Sequence, residues 1–448
     1  IMRARRLWEQ QGYIMQEDKY ILLPLLQASL PIGLYDVGHN IDILDRHHTV
    51  PADVVPYLLP IQADFSGGGR CVAPYIGRKG QLARLDIFSD RVLAYNGLII
   101  GGTGGGKSFL VNSLCHNYFS SGAKIRLIDI GYSYEKTSWM YDAKFVDFRF
   151  DSNMCLNPFT NVSVDDPERF ADDLSLISQL VLQMCYSSSS KIPDDVVETA
   201  TSLIGFAVRW AWDNKENEAS IDTVFEYLHT FPKYYINASM DGEHSSFINT
   251  LAKRLAFQLH KFTSDGEYGA WFNGACTLDI KKDNFVVLEL QSILSKKDLF
   301  KVVTFSVLNE VTRDLYNSDK KHPVIVIFDE AHLLLESGSY FQGIIEQGFR
   351  RARKAKGSFF IITQSILDLK KFGPVGDVIW GNSPFKFFLQ SPDFIKAKAE
   401  NLISYGDFAM SLLKSVATNK PHYSEIFCDT PFGAGVLRLM VDDYCYYI

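Results

Sequence analysis

At 448 residues the chain is roughly two to three times the usual domain size, which predicts at least two folding units. A hydrophobic content of 47% with 22% charged residues and no internal repeat excludes a disordered or fibrous protein. The net charge of −7 argues against a general polyanion binder, so DNA binding is expected to be weak or absent, and the seven scattered cysteines show no disulfide or zinc spacing and read as reduced, mostly buried thiols.

Residues 1–65 begin with a basic amphipathic stretch (Arg3, Arg5, Arg6, Trp8), carry no chemical motif and are expected to form the C-terminal part of an N-terminal domain. The apolar stretch 20–34 is interrupted by Gln27 and Ser29, holds Pro24 and Pro31, and is shorter than the ~20 residues of a membrane helix, so no transmembrane helix is expected. An initial Ile1 without a charged leader predicts further residues upstream. After the break at Gly67-Gly68-Gly69, strands are predicted at 82–87 and 97–100, a helix at 108–120 and a strand at 124–130. That order is a nucleotide-binding βαβ unit.

Four helical patterns follow, at 167–186, 196–212, 221–231 and 246–262, with Asp166-Pro167 and Ser220 as helix starts and a serine-rich joint at 187–190. Apolar runs at 285–290, 324–328, 359–363 and 385–389 then complete a mainly parallel sheet, buried on both faces, of roughly five or six strands. The expected division is an N-terminal remainder (1–65), a first core segment (66–164), an all-helical insertion (165–262) and a second core segment (263–448).

The run Gly101-Gly102-Thr103-Gly104-Gly105-Gly106-Lys107-Ser108 is a complete G-x-x-x-x-G-K-S loop between a strand and a helix. Its glycines let successive amides face one anion, Lys107 reaches the β and γ phosphates, and Ser108 offers an oxygen to Mg2+. With Phe109 these residues form the predicted ATP-binding set. The strand 324–328 ends in Asp329-Glu330, where ligands of open α/β sheets collect. Asp329 is expected to hold Mg2+ through water and Glu330 to polarise the attacking water.

His332 has no second histidine at metal spacing and reads as a packing or coupling residue. Downstream, Arg350, Arg351, Arg353 and Lys354 form a basic run between the acidic pair and Gln364, and Arg350, Arg353 and Gln364 are candidates for sensing or stabilising the γ-phosphate. Asp129 either touches nucleotide or caps a turn, and Glu289 reads as a strand-edge acid.

These residues together resemble the TraC-type conjugative transfer ATPases of the VirB/TraC class. The resemblance runs from Trp8-Glu9-Gln10-Gln11-Gly12-Tyr13 and Leu30-Pro31 through the glycine loop, Ile128-Asp129-Ile130-Gly131-Tyr132-Ser133, Leu156-Asn157-Pro158-Phe159 and Gly269-Ala270-Trp271-Phe272-Asn273-Gly274. It continues over Asp329-Glu330, the stretch from Phe349 to Lys354, Thr363-Gln364-Ser365, Gly381-Asn382-Ser383, Leu389-Gln390 and Tyr423-Ser424-Glu425. The arginine run with its following Thr-Gln and Asn-Ser elements is the part most particular to the class.

The resemblance implies an α/β, RecA-like P-loop NTPase core with a helical insertion, assembled as a homo-hexamer at the cytoplasmic face of a bacterial inner membrane. There it would hydrolyse ATP with Mg2+ for pilus biogenesis and substrate transfer, beside inner-membrane type IV secretion components, pilin and a relaxase-DNA substrate. It also implies that Arg353 completes a neighbouring subunit's site, with Arg350 and Arg351 as substitutes. Two other readings stay open at this point: a DNA-pumping translocase of the coupling-protein or FtsK type, and a non-catalytic nucleotide-gated scaffold.

Overall fold

The computed structural model describes residues 64–440 except 165, 188–193, 232–241, 319, 336–338 and 421, together with a few positions before residue 27. The chain divides into two compact units, Ile1–Ala63 and Asp64–Ile448. Readings on 1–63, on 188–190 and on Cys445 therefore fall almost wholly outside the described residues. The six described cysteines are free thiols, and all but Cys71 and Cys276 are buried.

The second unit is built on one sheet. Its strands are β1 (Gly67–Gly68), β2 (Ala73–Gly77), β3 (Leu82–Leu85), β4 (Gly97–Ile100), β5 (Lys124–Asp129), β6 (Lys144–Asp147), β7 (Phe285–Glu289), β8 (Val324–Phe328), β9 (Gly357–Thr363), β10 (Phe385–Phe388), β11 (Thr418–Asn419), β12 (Tyr423–Thr430) and β13 (Gly433–Leu439). The order across the sheet is β1-β3-β2-β13-β12-β10-β4-β9-β8-β5-β7-β6, with β11 beside β12. From β10 to β6 every pairing is parallel. From β10 outward through β12, β13, β2 and β3 the pairing is antiparallel.

The sheet is thus larger than the five or six strands expected from the apolar runs. Of the extra strands, β1 and β11 are only two residues long, β2 alternates buried and exposed positions, and β12, though buried over most of its length, holds Ser424 and Glu425 among its buried positions. Such strands lack the continuous apolar run that marks one covered on both faces.

Helices cover both faces of the parallel part. On one side α1 (Lys107–Ser120) packs on Ile99, Ile125, Leu127, Val287 and Ile327, and the short α2 (Glu135–Met140) lies beside β6 and β7. Alternate residues, Leu98, Ile128, Leu288, Val326 and Phe328, face a second core. There lie α3 (Pro167–Cys185), α4 (Asp194–Lys215), α5 (Ile221–His229), α6 (Gly242–Leu259), α7 (Lys297–Tyr316), the short α8 (Ala331–Leu335) and α9 (Ser339–Arg351). Side chains of period two facing two cores explain why these strands read as unbroken apolar runs. Four smaller helices, α10 (Asp368–Lys371), α11 (Pro374–Asn382), α12 (Phe394–Ala399) and α13 (Asp407–Lys414), complete the chain.

Helix α3 starts as its sequence dictates: Asp166 accepts from the Glu168 amide at 3.0 Å, and Pro167 occupies the first turn. One buried ion pair crosses the core. Arg126 of β5, fully shielded, donates through Nε to Asp314 of α7 at 2.9 Å and also reaches the carbonyls of Ile125 and Ile280.

Candidate nucleotide site

The parallel strands end together, so their C-terminal ends form one rim. Strand β4 delivers the glycine loop, β8 delivers Asp329 and Glu330, and β9, which lies between them, delivers Gln364. The start of the loop is tied to its neighbours: the Gly101 amide donates to the Thr363 carbonyl at 3.3 Å, and the Gly102 amide donates to the Gln390 carbonyl at 3.1 Å. Gly106 precedes α1 with φ 96°, and a Cβ there would meet Ser424 Oγ at 2.9 Å, so this position requires glycine twice over. Lys107 is nearly buried and donates through Nζ to Gly101 O at 3.1 Å, which aims the ammonium across the loop.

Asp329 is 3% exposed. Its Oδ2 accepts from the Tyr134 hydroxyl at 2.6 Å and its Oδ1 from the Glu330 amide at 2.8 Å. Burial holds its pKa above the usual carboxylate range, against the lowering effect of those two bonds and of the Lys107 charge. Glu330 has a left-handed backbone, φ 47°, a conformation that costs energy in a non-glycine residue and gathers at functional sites.

Gln364 bridges the parts. Its Oε1 accepts from Thr103 Oγ1 at 3.1 Å, and its Nε2 donates to Glu330 Oε1 at 2.9 Å, so one side-chain amide links the loop to the acid. His332 Nδ1 lies 3.3 Å from Glu330 Oε2, which places it beside the acid.

A cleft of about 1200 Å³, open to solvent, is lined by Thr103, Gly104, Gly106, Lys107, Ser108, Phe109, Ser133, Asp329, Glu330, Gln364, Lys420, Tyr423 and Ser424. Gly101, Gly102 and Gly105 shape the loop behind this lining. Among the described residues no cluster of His, Cys, Asp or Glu could hold a metal by itself. The donors present, one hydroxyl and one carboxylate, suit Mg2+, which keeps most of its waters and takes phosphate oxygens as ligands.

Behind the cleft is a row of acids. Asp129 and Glu289 stand opposite each other in register, as do Glu289 and Asp147. Glu289 accepts the amides of Gly131, Tyr132 and Gln291. Asp129 accepts the Ser133 amide at 2.7 Å and so caps that turn. Burial, the neighbouring Glu289 and Asp329 push Asp129 up to about 9. The pair thus holds the turn that carries Ser133 and Tyr134 into place.

The arginines lie elsewhere. Arg350 pairs with Glu346 at 2.8 Å on an exposed face of α9, and Arg353 sits over the Tyr95 ring at 5.9 Å. Both precede β9, whose seven residues run roughly 20 Å from that edge to Gln364. Neither is brought to the loop of its own chain.

Two groups of site residues had no role assigned from the sequence: Tyr134, the residue after the Ile128-to-Ser133 stretch, and the wall formed by Lys420, Tyr423 and Ser424, of which Tyr423 and Ser424 entered only through the family resemblance. An isolated tyrosine carries no local pattern, and the wall arises only through pairing of distant strands.

A family model described as the TraG P-loop domain matches residues 82–442. Protein TraC of Escherichia coli (strain K12) is 30% identical over 348 residues, covering 75% of this chain and 37% of TraC, so the chain spans well under half of that relative. VirB4 of Thermoanaerobacter pseudethanolicus matches with a TM-score of 0.67 at 15% identity, covering 86% of this chain and 100% of that one. Plasmid coupling protein TrwB in complex with ADP and Mg2+ matches with a TM-score of 0.54 at 13% identity, covering 78% of this chain and 85% of that one. At such identities these two structures speak to the fold alone. No helix of the described residues is long and apolar enough to cross a membrane. The family model takes in 361 residues (442 − 82 + 1) of the 448, including the glycine loop, the acidic pair and Gln364, and the chain belongs to the TraG P-loop domain family, with TraC as a relative.

Proposed function

We propose that this chain is the motor portion of a type IV secretion ATPase that hydrolyses Mg2+-bound ATP. The observation that carries the reading is the continuous bond path from Thr103 through Gln364 to Glu330, in one cleft with Lys107, Ser108 and Asp329. Loop amides and Lys107 hold the β and γ phosphates, and Ser108 and Asp329 hold the metal, Asp329 through water. Mg2+, when bound, neutralises charge on the phosphate oxygens. Glu330 accepts a hydrogen bond from the attacking water and polarises it. Gln364, bonded to both loop and acid, reports the γ-phosphate's presence from one to the other.

Arg353 lies far from its own loop, which fits a contribution to a neighbouring subunit's site, with Arg350 and Arg351 as substitutes. Hexamer formation, docking on inner-membrane secretion components at the cytoplasmic face, and service to pilin and relaxase-DNA transfer are part of this proposal, as is the division at 66–164, 165–262 and 263–448. The coupling-protein alternative has less support, because the 30% identity lies with TraC while the likeness to TrwB is one of fold.

The deciding experiment is ATP turnover and binding by purified variants. Lys107→Ala should lose both turnover and tight nucleotide binding, and Glu330→Gln should keep binding and lose turnover. Unchanged turnover in either variant overturns the reading. Tight nucleotide binding by the wild-type chain with no turnover would favour the nucleotide-gated scaffold.

A further inference from the structure

The glycine loop accounts for one end of the cleft, and the other end is built by the C-terminal strands. The cleft runs from Lys107 and Ser108 past Phe109 to Lys420, Tyr423 and Ser424. Two contacts fix this wall to the loop: Ser424 packs against Gly106, and Thr418 Oγ1 donates to Gly105 O at 3.5 Å.

The Tyr423 ring is itself held. The Arg438 guanidinium lies 4.3 Å from its centroid, and Arg438 Nε donates to Glu425 Oε1 at 3.1 Å. Glu425, 3% exposed, also accepts from Arg78 at 2.6 Å and 3.0 Å, and Arg78 in turn donates to Ser415 O at 2.8 Å. A carboxylate gripped by two guanidinium groups thus braces a stacked aromatic at the mouth of a phosphate cleft.

We propose that this wall is the base-binding half of the nucleotide site, with Tyr423 stacking on the nucleobase and Lys420 donating to its edge. The inference rests on the nucleotide reading above. Phosphates gripped at the start of α1 leave the ribose and base to extend along Phe109 towards the wall. An aromatic ring backed by an arginine offers a flat, pre-oriented face at little ordering cost, which suits a heteroaromatic base. Lysine has donors and no acceptor, matching the ring nitrogens and carbonyl oxygens that bases present at their edges. Arg438, Glu425 and Arg78 are positioning residues and touch no ligand.

Calorimetric titration of the full chain with ADP and, separately, with inorganic pyrophosphate tests this. Tyr423→Ala should weaken ADP binding about tenfold and leave pyrophosphate binding unchanged, while Tyr423→Phe keeps wild-type affinity for both. Lys420→Ala, on an exposed turn where folding is not at stake, should also weaken ADP and not pyrophosphate. Equal losses for the two ligands would make Tyr423 a prop of the loop and overturn the proposal, as would undiminished ADP binding in both alanine variants. A wild-type chain that binds ADP no better than pyrophosphate overturns the base wall and leaves the phosphate site standing. A wild-type chain that binds neither removes the nucleotide reading itself.

Discussion

Replacing Tyr134 with Phe removes one oxygen and keeps the shape of a fully buried ring. The lost bond is the 2.6 Å donation to Asp329 Oδ2. A hydrogen bond to a charged group contributes about 1.5–3 kcal/mol, equivalent to about 10- to 150-fold in an equilibrium constant. Because Asp329 is proposed to reach Mg2+ through water, the lower end is the expectation, and the Mg2+ concentration for half-maximal turnover should rise about tenfold.

The pH dependence has a definite sign. Burial already holds Asp329 above the usual carboxylate range, and the Tyr134 bond works against that. Without the bond the pKa climbs further, so the acid limb of the rate profile moves to higher pH, and the rate recovers at a pH where Asp329 is ionised in both proteins. The assay is steady-state phosphate release across Mg2+ concentration and pH, with Mg2+-free ADP binding to show that the loop is intact. A folded Tyr134→Phe protein with an unchanged Mg2+ requirement and an unchanged acid limb would refute the role given to this hydroxyl.

Asp314→Ala leaves the Arg126 guanidinium buried and unpaired, which should cost about 3–5 kcal/mol and visibly lower the thermal unfolding temperature; Arg126→Met with Asp314→Leu should recover most of the loss. Asp129, pushed up to about 9 by burial and by Glu289 and Asp329, keeps a proton that the unfolded chain releases, so its stabilising effect is lost as pH rises towards that value. Unfolding curves of Asp129→Asn should therefore depend less on pH than those of wild type from the ordinary carboxylate range up to about 9. Arg353→Ala should bind ATP and turn over poorly, and mixing it with Glu330→Gln protein should restore partial activity at mixed interfaces. Proven subunit exchange with no return of activity, beside full turnover by dilute monomers, would show that no arginine acts between subunits.

The site's centre could be read from the sequence because its residues sit at strand ends flagged by their own neighbours. Val324 to Phe328 is apolar at every position, so the acids that follow had to lie at the rim, and the same logic placed Gln364 after β9. Strands β12 and β13 gave no comparable signal. Ser424, Glu425, Thr430 and Arg438 interrupt their apolar positions, and the reason is visible only in three dimensions, where Glu425 is paired with Arg78 from far along the chain. Arg126 stands inside the apolar run 124–130, and its ion pair with Asp314, 188 residues away, left no mark on the local pattern. What stayed illegible was in each case a pairing across sequence distance, which no local periodicity encodes.

The route of the antiparallel wing bears on how the protein is made. Strand β13 lies between β12 and β2, and β2 carries β3, so the first three strands of the chain's second unit are joined to the rest of the sheet through residues 433–439. A ribosome working towards the C-terminus exposes β2 and β3 hundreds of residues before their bonding partner exists, and closing so long a loop is slow. On the nascent chain these strands must wait with an unpaired edge, an open template for aggregation. A chain cut between residues 331 and 433 should therefore strand them permanently and be held by chaperones or degraded, even though the glycine loop and the acidic pair are already complete.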